Sequence, residues 1–165
     1  MEKETRFNDL FTSYYKKVFR LCKGYFNGNE AMASDAAQDI FVKIWEYLDS
    51  FRNESKISTW IYRISVNTCL LHLRKQSGNR EKATDIFPAI AAEPYTSDNE
   101  EKLKKMYGCI NKLDEKNKVI ILMVLEGISY EEIAEIVGTS EETLRVKIHR
   151  IKGNLTKCVQ HGDFQ

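Results

Sequence analysis

The sequence predicts an all-α chain: two small helical domains joined by a flexible linker, the C-terminal one a helix-turn-helix. Three observations carry this reading. Apolar residues recur at steps of three and four along most of the chain, the spacing of a buried helix face, and no segment alternates as a strand would. That periodicity fails over residues 77–100, where both prolines, Pro88 and Pro94, lie among small and acidic residues. Near the C-terminus, two helix-starting patterns flank a glycine.

Taken in order, a first helix is expected over about residues 8–25, where Leu10, Phe11, Tyr14, Tyr15, Val18, Phe19 and Cys22 form its apolar side. Asn27-Gly28-Asn29 ends it. A second helix, over about residues 30–48, places Ala33, Ala37, Ile40, Phe41, Ile44, Trp45 and Leu48 on one side. Residues 51–56 form a polar loop. A third helix follows over about residues 58–75, with Ile57, Trp60, Ile61, Ile64 and Leu71 inward. On a separate face about 110° away stand Arg63, Asn67, Leu70 and Arg74. A stripe of arginines and an amide suits unstacked single-stranded bases; a solvated face carries the same residue types. Inside the linker, Ile86-Phe87 either docks on a partner or collapses locally. Periodicity returns with Leu103, Met106, Tyr107, Ile110 and Leu113, then in a helix over about residues 115–125.

The segment 128–157 has the form of a helix-turn-helix. Ser129 with Glu132, and Thr139 with Glu142, each have the capping-box spacing that starts a helix. Gly138 between them is free to take positive φ. In the second helix Leu144, Ile148, Ile151 and Leu155 face the core. Glu142, Thr143, Arg145, Val146, His149 and Arg150 then face outward, as in a helix presented to a DNA major groove.

The net charge of +1 hides polarity along the chain. Residues 1–76 carry +3, residues 77–100 carry −3, residues 101–142 carry −3 and residues 143–165 carry +4. Positive charge gathers on the second helix of the helix-turn-helix and its tail, where a phosphate backbone requires it. Cys22, Cys69, Cys109 and Cys158 are scattered without a CxxC pair, and His72, His149 and His161 complete no metal-ligand spacing, so neither metal nor cofactor is expected. The N-terminus is charged rather than apolar, so disulfides are not expected either. The longest apolar run, residues 119–125, falls well short of the roughly 20 residues that span a bilayer. A reduced, soluble, cytoplasmic protein is expected. Neither a catalytic triad nor paired acid-base carboxylates nor a phosphate-binding loop is visible, so the chain does not read as an enzyme.

The string STWIYRISVNTCLLHLRK resembles the signature of bacterial RNA polymerase sigma factors of the sigma-70 family, in the extracytoplasmic-function (ECF) group. DAAQDIFVKIW is similar to the D-x-x-Q-x-x-F-x-x-x-W segment of that family, at Asp35, Gln38, Phe41 and Trp45. The helix-turn-helix resembles its promoter-binding domain, with Glu132-Ile133-Ala134 and Thr143 at matching places. The resemblance implies sigma domain two over residues 1–76, a linker over 77–100 and sigma domain four over 101–165. It implies that Asp35, Gln38, Asp39 and Lys43 contact the clamp coiled coil of core polymerase, with the flap as a further partner site, while Phe41 and Trp45 belong to the core. It implies capture of a flipped base of the minus-ten element by residues 52–58, through Arg52, Asn53, Ser55, Lys56 and Ser58, and Asn67 wedging the duplex open; the stripe on the third helix adds Arg63 and Arg74 as strand contacts. It implies reading of the minus-thirty-five element by this helix, with Thr143, Arg145, Lys147 and Arg150 at matching positions; His149 shares the outward face, and Arg150 and Lys152, further along the helix, are placed to meet phosphates. Promoter DNA and an anti-sigma factor, or another recruiting regulator, are the remaining implied partners. No small-molecule substrate is implied, and the bacterial nucleoid is the implied place of action.

The chain departs from the family pattern at Leu71, where many members have Asp or Asn, and at Asp114, where many have Pro; Asp114 can itself cap a helix. Two other readings use part of the same sequence. A dimeric helix-turn-helix regulator with an effector domain leaves the segment 35–45 and the Arg63/Asn67 stripe without a role. A protein-protein adaptor makes the Trp and Tyr residues core alone.

Overall fold

The computed structural model describes residues 1–78 and 98–161; the linker expected over residues 77–100, Ile86-Phe87 included, lies almost wholly outside them. Every regular element among the described residues is helical: α1 (Glu2–Tyr25), α2 (Glu30–Tyr47) with a short 3-10 turn (Leu48–Ser50), α3 (Ile57–Gly78), α4 (Asp98–Asn111), α5 (Glu115–Leu125), α6 (Tyr130–Val137) and α7 (Glu141–His161).

Helix α1 begins earlier than the periodicity indicated, because Glu2 and Glu4 suit a helix N-terminus and Thr5 extends the ladder back to the Met1 carbonyl. It ends where Asn27 and Gly28 take positive φ, and Asn29 then caps α2 by accepting from the Met32 N–H at 3.0 Å. The α1–α2 pair is held by aromatic packing: Phe7 and Phe11 meet Phe41 edge-on at 6.3 and 5.0 Å between centroids. Trp45 is not core. It is 41% exposed, with the Phe7 ring edge-on at 5.3 Å and the Lys3 ammonium 4.7 Å from its ring.

Helix α3 turns differently from the expected inward face. Ile61, Tyr62, Ser65, Thr68 and Cys69 are buried, whereas Leu71 is 45% exposed. Two of the buried hydroxyls explain why a hydropathy pattern misplaces this face: Ser65 and Thr68 donate to the carbonyls four residues back, Ile61 and Ile64, at 2.8 and 2.7 Å. A satisfied hydroxyl is cheap to bury. Cys22 and Cys69 lie with sulfurs 3.6 Å apart between α1 and α3, both buried and free; their mutual contact, then burial, pushes the Cys69 thiol well up.

In the second half, Asp114 caps α5 by accepting from the Asn117 N–H at 2.8 Å, and Ser129 caps α6 by accepting from Glu132 N–H at 3.2 Å. The cap of α7 is shifted one residue from the expected Thr139. Gly138 (φ 75°) closes α6, and both its N–H and that of Thr139 donate to the Ala134 carbonyl. Thr139 therefore finishes one helix, and Ser140 starts the next by accepting from the Thr143 N–H at 3.2 Å. The absence of disulfides is also corrected: α4 and α7 pack together and join Cys109 to Cys158 at a Cα separation of 5.9 Å. The two cysteines are 49 residues apart in sequence, so no local spacing could announce the pair.

Among the described residues one core runs through both halves. Helix α5 packs on α1 and α6 on α3. Gly24 makes the first contact possible, since a Cβ there would lie 2.4 Å from Leu122 Cδ2. Arg20 forks onto the Glu126 carboxylate at 3.0 Å through both Nε and Nη2. Lys118, 4% exposed, donates to Asn111 Oδ1 at 2.6 Å and lies 4.8 Å from the Tyr25 ring. Desolvation lowers its pKa. The cap assignment has a direct test. Ser140→Ala should cost about 1 kcal/mol in urea unfolding, as N-cap losses do, and Thr139→Ala less than half of that. The reverse ranking would return the cap to Thr139.

Candidate nucleic-acid interface

The loop between α2 and α3 is shaped by Asn53 in the left-handed region (φ 58°), a conformation asparagine tolerates better than most side chains. It folds Phe51 against Trp60, with ring centroids 5.0 Å apart, and Arg6 of α1 backs Phe51 at 5.9 Å. The result is a cleft of about 350 Å³ lined by Ser50, Phe51, Arg52, Glu54, Ser55, Trp60, Arg63 and Glu135. Of the residues expected to meet a flipped base, Arg52, Ser55 and Arg63 line this cleft; Asn53 and Lys56 are exposed beside it. Two aromatic rings flanked by guanidinium and hydroxyl donors suit a planar base that is stacked and hydrogen-bonded at its edge. Phe51 and Trp60 were not among the expected site residues: Trp60 read as part of the inward face of its helix and Phe51 as one residue of a polar loop, and only the loop's path brings the two rings together.

Ser58 and Arg63 do not face solvent freely. The hydroxyls of Ser58 and of buried Thr59 both donate to Glu132 Oε1 of α6, the Thr59 bond at 3.0 Å. Arg63 Nη2 donates to the Glu135 carbonyl at 3.1 Å. Farther along α3, Asn67 and Arg74 are exposed and Leu70 is half-buried, so the stripe continues past the covered end.

On α2, Asp35 and Gln38 are exposed. Asp39 is tied to α3 by a 2.6 Å contact between its Oδ2 and His72 Nε2, and Lys43 donates to Thr68 Oγ1 at 3.2 Å. Only the first two of the four expected docking residues are thus uncommitted to the packing of α2 on α3. Val42 and Tyr47, both 55% exposed, and Trp45 add apolar surface to the same helix.

Helix α7 buries Leu144, Ile148, Ile151 and Leu155 and exposes Thr143, Arg145, His149, Arg150 and Lys152, with Lys147 half-buried. Arg145 is braced: its Nη2 pairs with Glu141 Oε1 at 2.7 Å, and its guanidinium stands 5.6 Å from the Tyr130 ring. Among the described residues no group of three His, Cys, Asp or Glu could hold a metal ion, and no helix is long and apolar enough to cross a membrane.

Comparison with known proteins matches both halves in order. The family described as Sigma-70 region 2 matches residues 10–79, and that described as Sigma-70, region 4 matches residues 103–155. The chain is 36% identical to the ECF RNA polymerase sigma-E factor of Haemophilus influenzae, with 93% of this chain and 87% of that one aligned. To the ECF RNA polymerase sigma-E factor of Escherichia coli K12 it is 34% identical, over 93% and 86% of the two chains. In fold it is similar to the sigma factor RpoE crystallised with the anti-sigma factor NepR from Bartonella quintana (TM-score 0.74, 22% identity, 96% and 99% covered). It is likewise similar to CnrH in complex with the cytosolic domain of CnrY (TM-score 0.74, 19% identity, 97% and 91% covered). At those identities the two structures establish a shared fold.

Proposed function

Because the chain belongs to the sigma-70 family, in the ECF group of RNA polymerase sigma factors, we propose that it starts transcription by binding core polymerase, recognising promoter DNA at two elements and promoting strand opening. The observation that carries this is the pairing, in one chain, of an aromatic-and-arginine cleft before α3 with an outward-facing basic helix α7. The first has the chemistry to hold an unstacked base, the second to enter a major groove.

Each module alone has few contacts. Held together on polymerase at a fixed separation, the second contact becomes intramolecular, which raises the combined affinity without any new bond. A nearly neutral protein, at net +1, thereby becomes promoter-specific in the holoenzyme. Bond formation belongs to the polymerase, and this chain supplies no catalytic group and takes no small-molecule substrate. Its residues are proposed to divide as follows. Asp35 and Gln38 meet the polymerase clamp, with Asp39 and Lys43 holding that helix in place on α3. The cleft of Arg52, Ser55, Trp60 and Arg63 takes a base of the minus-ten element, and Asn67 with Arg74 follows the separated strand. Thr143 and Arg145 read the minus-thirty-five element, while Lys147, His149, Arg150 and Lys152 hold its backbone. The place of action is the cytoplasm, and an anti-sigma factor is the partner proposed to control it, as the structurally similar sigma factor RpoE was co-crystallised with one.

Transcription by core polymerase and the purified chain on a genomic fragment library, with start sites mapped, tests the function directly. Discrete start sites absent from core polymerase alone are expected; none at all would refute it. Four variants, one double and three single, test the division of roles. Asp35→Arg with Gln38→Ala should weaken core binding by roughly tenfold, as truncation of interface anchors does, with an unchanged melting temperature because both residues are exposed. Asn67→Ala should leave closed-complex formation intact yet reduce permanganate-reactive thymines in the melted region; equal reactivity would remove Asn67 from strand opening. On α7, Arg145→Ala should relax upstream-element discrimination by about 1–3 kcal/mol, the range of a base-edge arginine. Lys152→Ala should weaken all duplexes alike and flatten the salt dependence. Equal loss of matched and scrambled binding in the arginine variant would confine Arg145 to the backbone.

A further inference from the structure

We infer that Cys109 and Cys158 are a reversible modification site: their disulfide is a redox clasp on the duplex-reading half, closed by exchange with a low-molecular-weight disulfide and opened by the corresponding thiol. The inference rests on the proposed function for its cytoplasmic setting and for what α7 reads, whereas the pairing is a fact of the fold. Thiols of the glutathione class keep most cytoplasmic cysteines reduced, and the disulfides found there are usually transient, catalytic or redox-sensing. Here the fold gathers all four cysteines of the chain into two cross-helix pairs. Cys109 of α4 and Cys158 of α7 are joined, with Cα atoms 5.9 Å apart. Cys22 and Cys69 stay free between α1 and α3, with sulfurs 3.6 Å apart. The Cys69 thiol is held well above its ordinary pKa by that contact and by burial, which withholds the thiolate that exchange requires. One pair is therefore the reacting pair and the other is silent.

The link sits where the two helices it joins are weakest. Gly108 stands beside Cys109 inside α4, and Gly153 stands in α7 between Lys152 and Cys158. A Cβ at either position would meet nothing within 4 Å, so close packing demands neither glycine. Both still lower the helical stability of their surroundings. Past Gly153, Asn154, Thr156, Cys158, Val159 and His161 are all weak helix formers. This end of α7 is held by its packing on α4, with Leu155 and Cys158 buried on one helix and Cys109 and Ile110 on the other. The ring that the link closes contains α5, α6 and residues 143–152 of α7. A unit of about 60 residues has a small core, so a single covalent closure weighs heavily on it. Closure proceeds in two exchanges. One cysteine thiolate attacks a sulfur of the small disulfide RSSR, forming a mixed disulfide and releasing RS⁻. The second cysteine thiolate attacks the protein sulfur of that mixed disulfide, forming the Cys109–Cys158 bond and releasing another RS⁻. The two protons lost by the protein thiols end on the two RS⁻, so the protein gives up two electrons and RSSR becomes two RSH. Both cysteines are buried, so exchange waits on fraying of these turns, which the glycines permit.

The experiment uses the full-length chain, with glutathione as the probe. The protein is equilibrated across ratios of reduced to oxidised glutathione and quenched in acid, and its thiols are counted by alkylation and peptide mass. Four free thiols are expected in excess reduced glutathione and two in excess oxidised, with Cys109 and Cys158 as the linked peptides. Four thiols at every ratio overturns the inference, because the pair then does not oxidise. Two thiols even in excess reduced glutathione overturns it equally, because the disulfide is then permanent and carries no signal. A Cys22–Cys69 link would overturn the choice of reacting pair. Hydrogen exchange reads the consequence: amides in residues 106–111 and 153–161 should exchange roughly tenfold faster in the reduced chain, as local openings released from a cross-link do. Amides of α2 should not change. Gly153→Ala should slow the reduced-state exchange of the end of α7, and Cys158→Ser should exchange alike at both extremes. The wild-type comparison stands without that serine variant if it fails to fold, and equal wild-type exchange in the two states overturns the clasp. Failure of the proposed function is separate: it appears as no start sites from holoenzyme in either redox state.

Discussion

A carboxylate that leaves water must find donors, and Glu132 finds them in the first turn of α3, two helices that are 73 residues apart along the chain at Thr59. Much of the second half is positioned through that contact. With Glu132 anchored on α3, the next turn of α6 brings the Glu135 carbonyl to Arg63 and closes one wall of the cleft. Gly138 then ends α6 in the left-handed region, and the short turn to Ser140 sends α7 off with its apolar stripe against α4 and α5. The polar face of α7 is left outward. One half-buried carboxylate, held by two hydroxyls, thus bears on what each of these faces can meet.

The rest of the junction is not built like a permanent core. Arg20 and Glu126 form a forked pair, but the arginine side chain is 58% exposed, so solvent screens much of its attraction. Lys118 is buried with one amide oxygen and an aromatic ring as its partners, and desolvation lowers its pKa because neither partner carries a full negative charge. The Tyr25 hydroxyl beneath it is buried without a hydrogen-bond partner, and that burial raises its pKa too. An unpaired buried hydroxyl costs about 1–3 kcal/mol. Against these stand the close approach of Leu122 to Gly24 and the contacts of Glu132. An interface in which polar groups are incompletely met resembles one that comes apart in use rather than the interior of a domain.

How much of this was legible in the sequence depended on whether the cause was local. Helix positions followed from periodicity, and the starts at Asn29, Asp114 and Ser129 follow from side chains that cap their own helix. The outward side chains of α7 were legible for the same reason, since the apolar stripe of that helix fixes which way they face. Misplacements occurred where the cause lay elsewhere in the chain. Trp45 is in phase with Phe41 and so read as core, yet α2 ends at the rim and leaves the ring under Lys3. Thr139 matches a capping pattern, but Gly138 and the Ala134 carbonyl claim it for the preceding helix. Cys109 and Cys158 meet only because α4 lies along α7. The commitment of Ser58 and Arg63 to α6 has no local signature, because the pattern on α3 is the same whether the face meets DNA, water or another helix.

That last ambiguity bears on how the proposed function proceeds. The two nucleic-acid faces are in different states in a single conformation: the outward side of α7 is exposed while the first turns of α3 are covered. A duplex can therefore reach Arg145 and Arg150 without any rearrangement, whereas an unpaired base can reach Arg63 only after α6 has left. The order of events follows from that asymmetry. Core polymerase holds the two halves at the separation promoter DNA requires, upstream duplex contact follows in the holoenzyme, and the strand then enters the cleft before α3. A ligand shifts such an equilibrium only by its differential affinity for the open state. Core polymerase has that preference when its contacts on α2 and on the second half cannot both be made by the closed chain. The carboxylate of Glu132 then returns to water as the strand takes its place, so part of the cost of opening is offset within the same exchange of one anion for another.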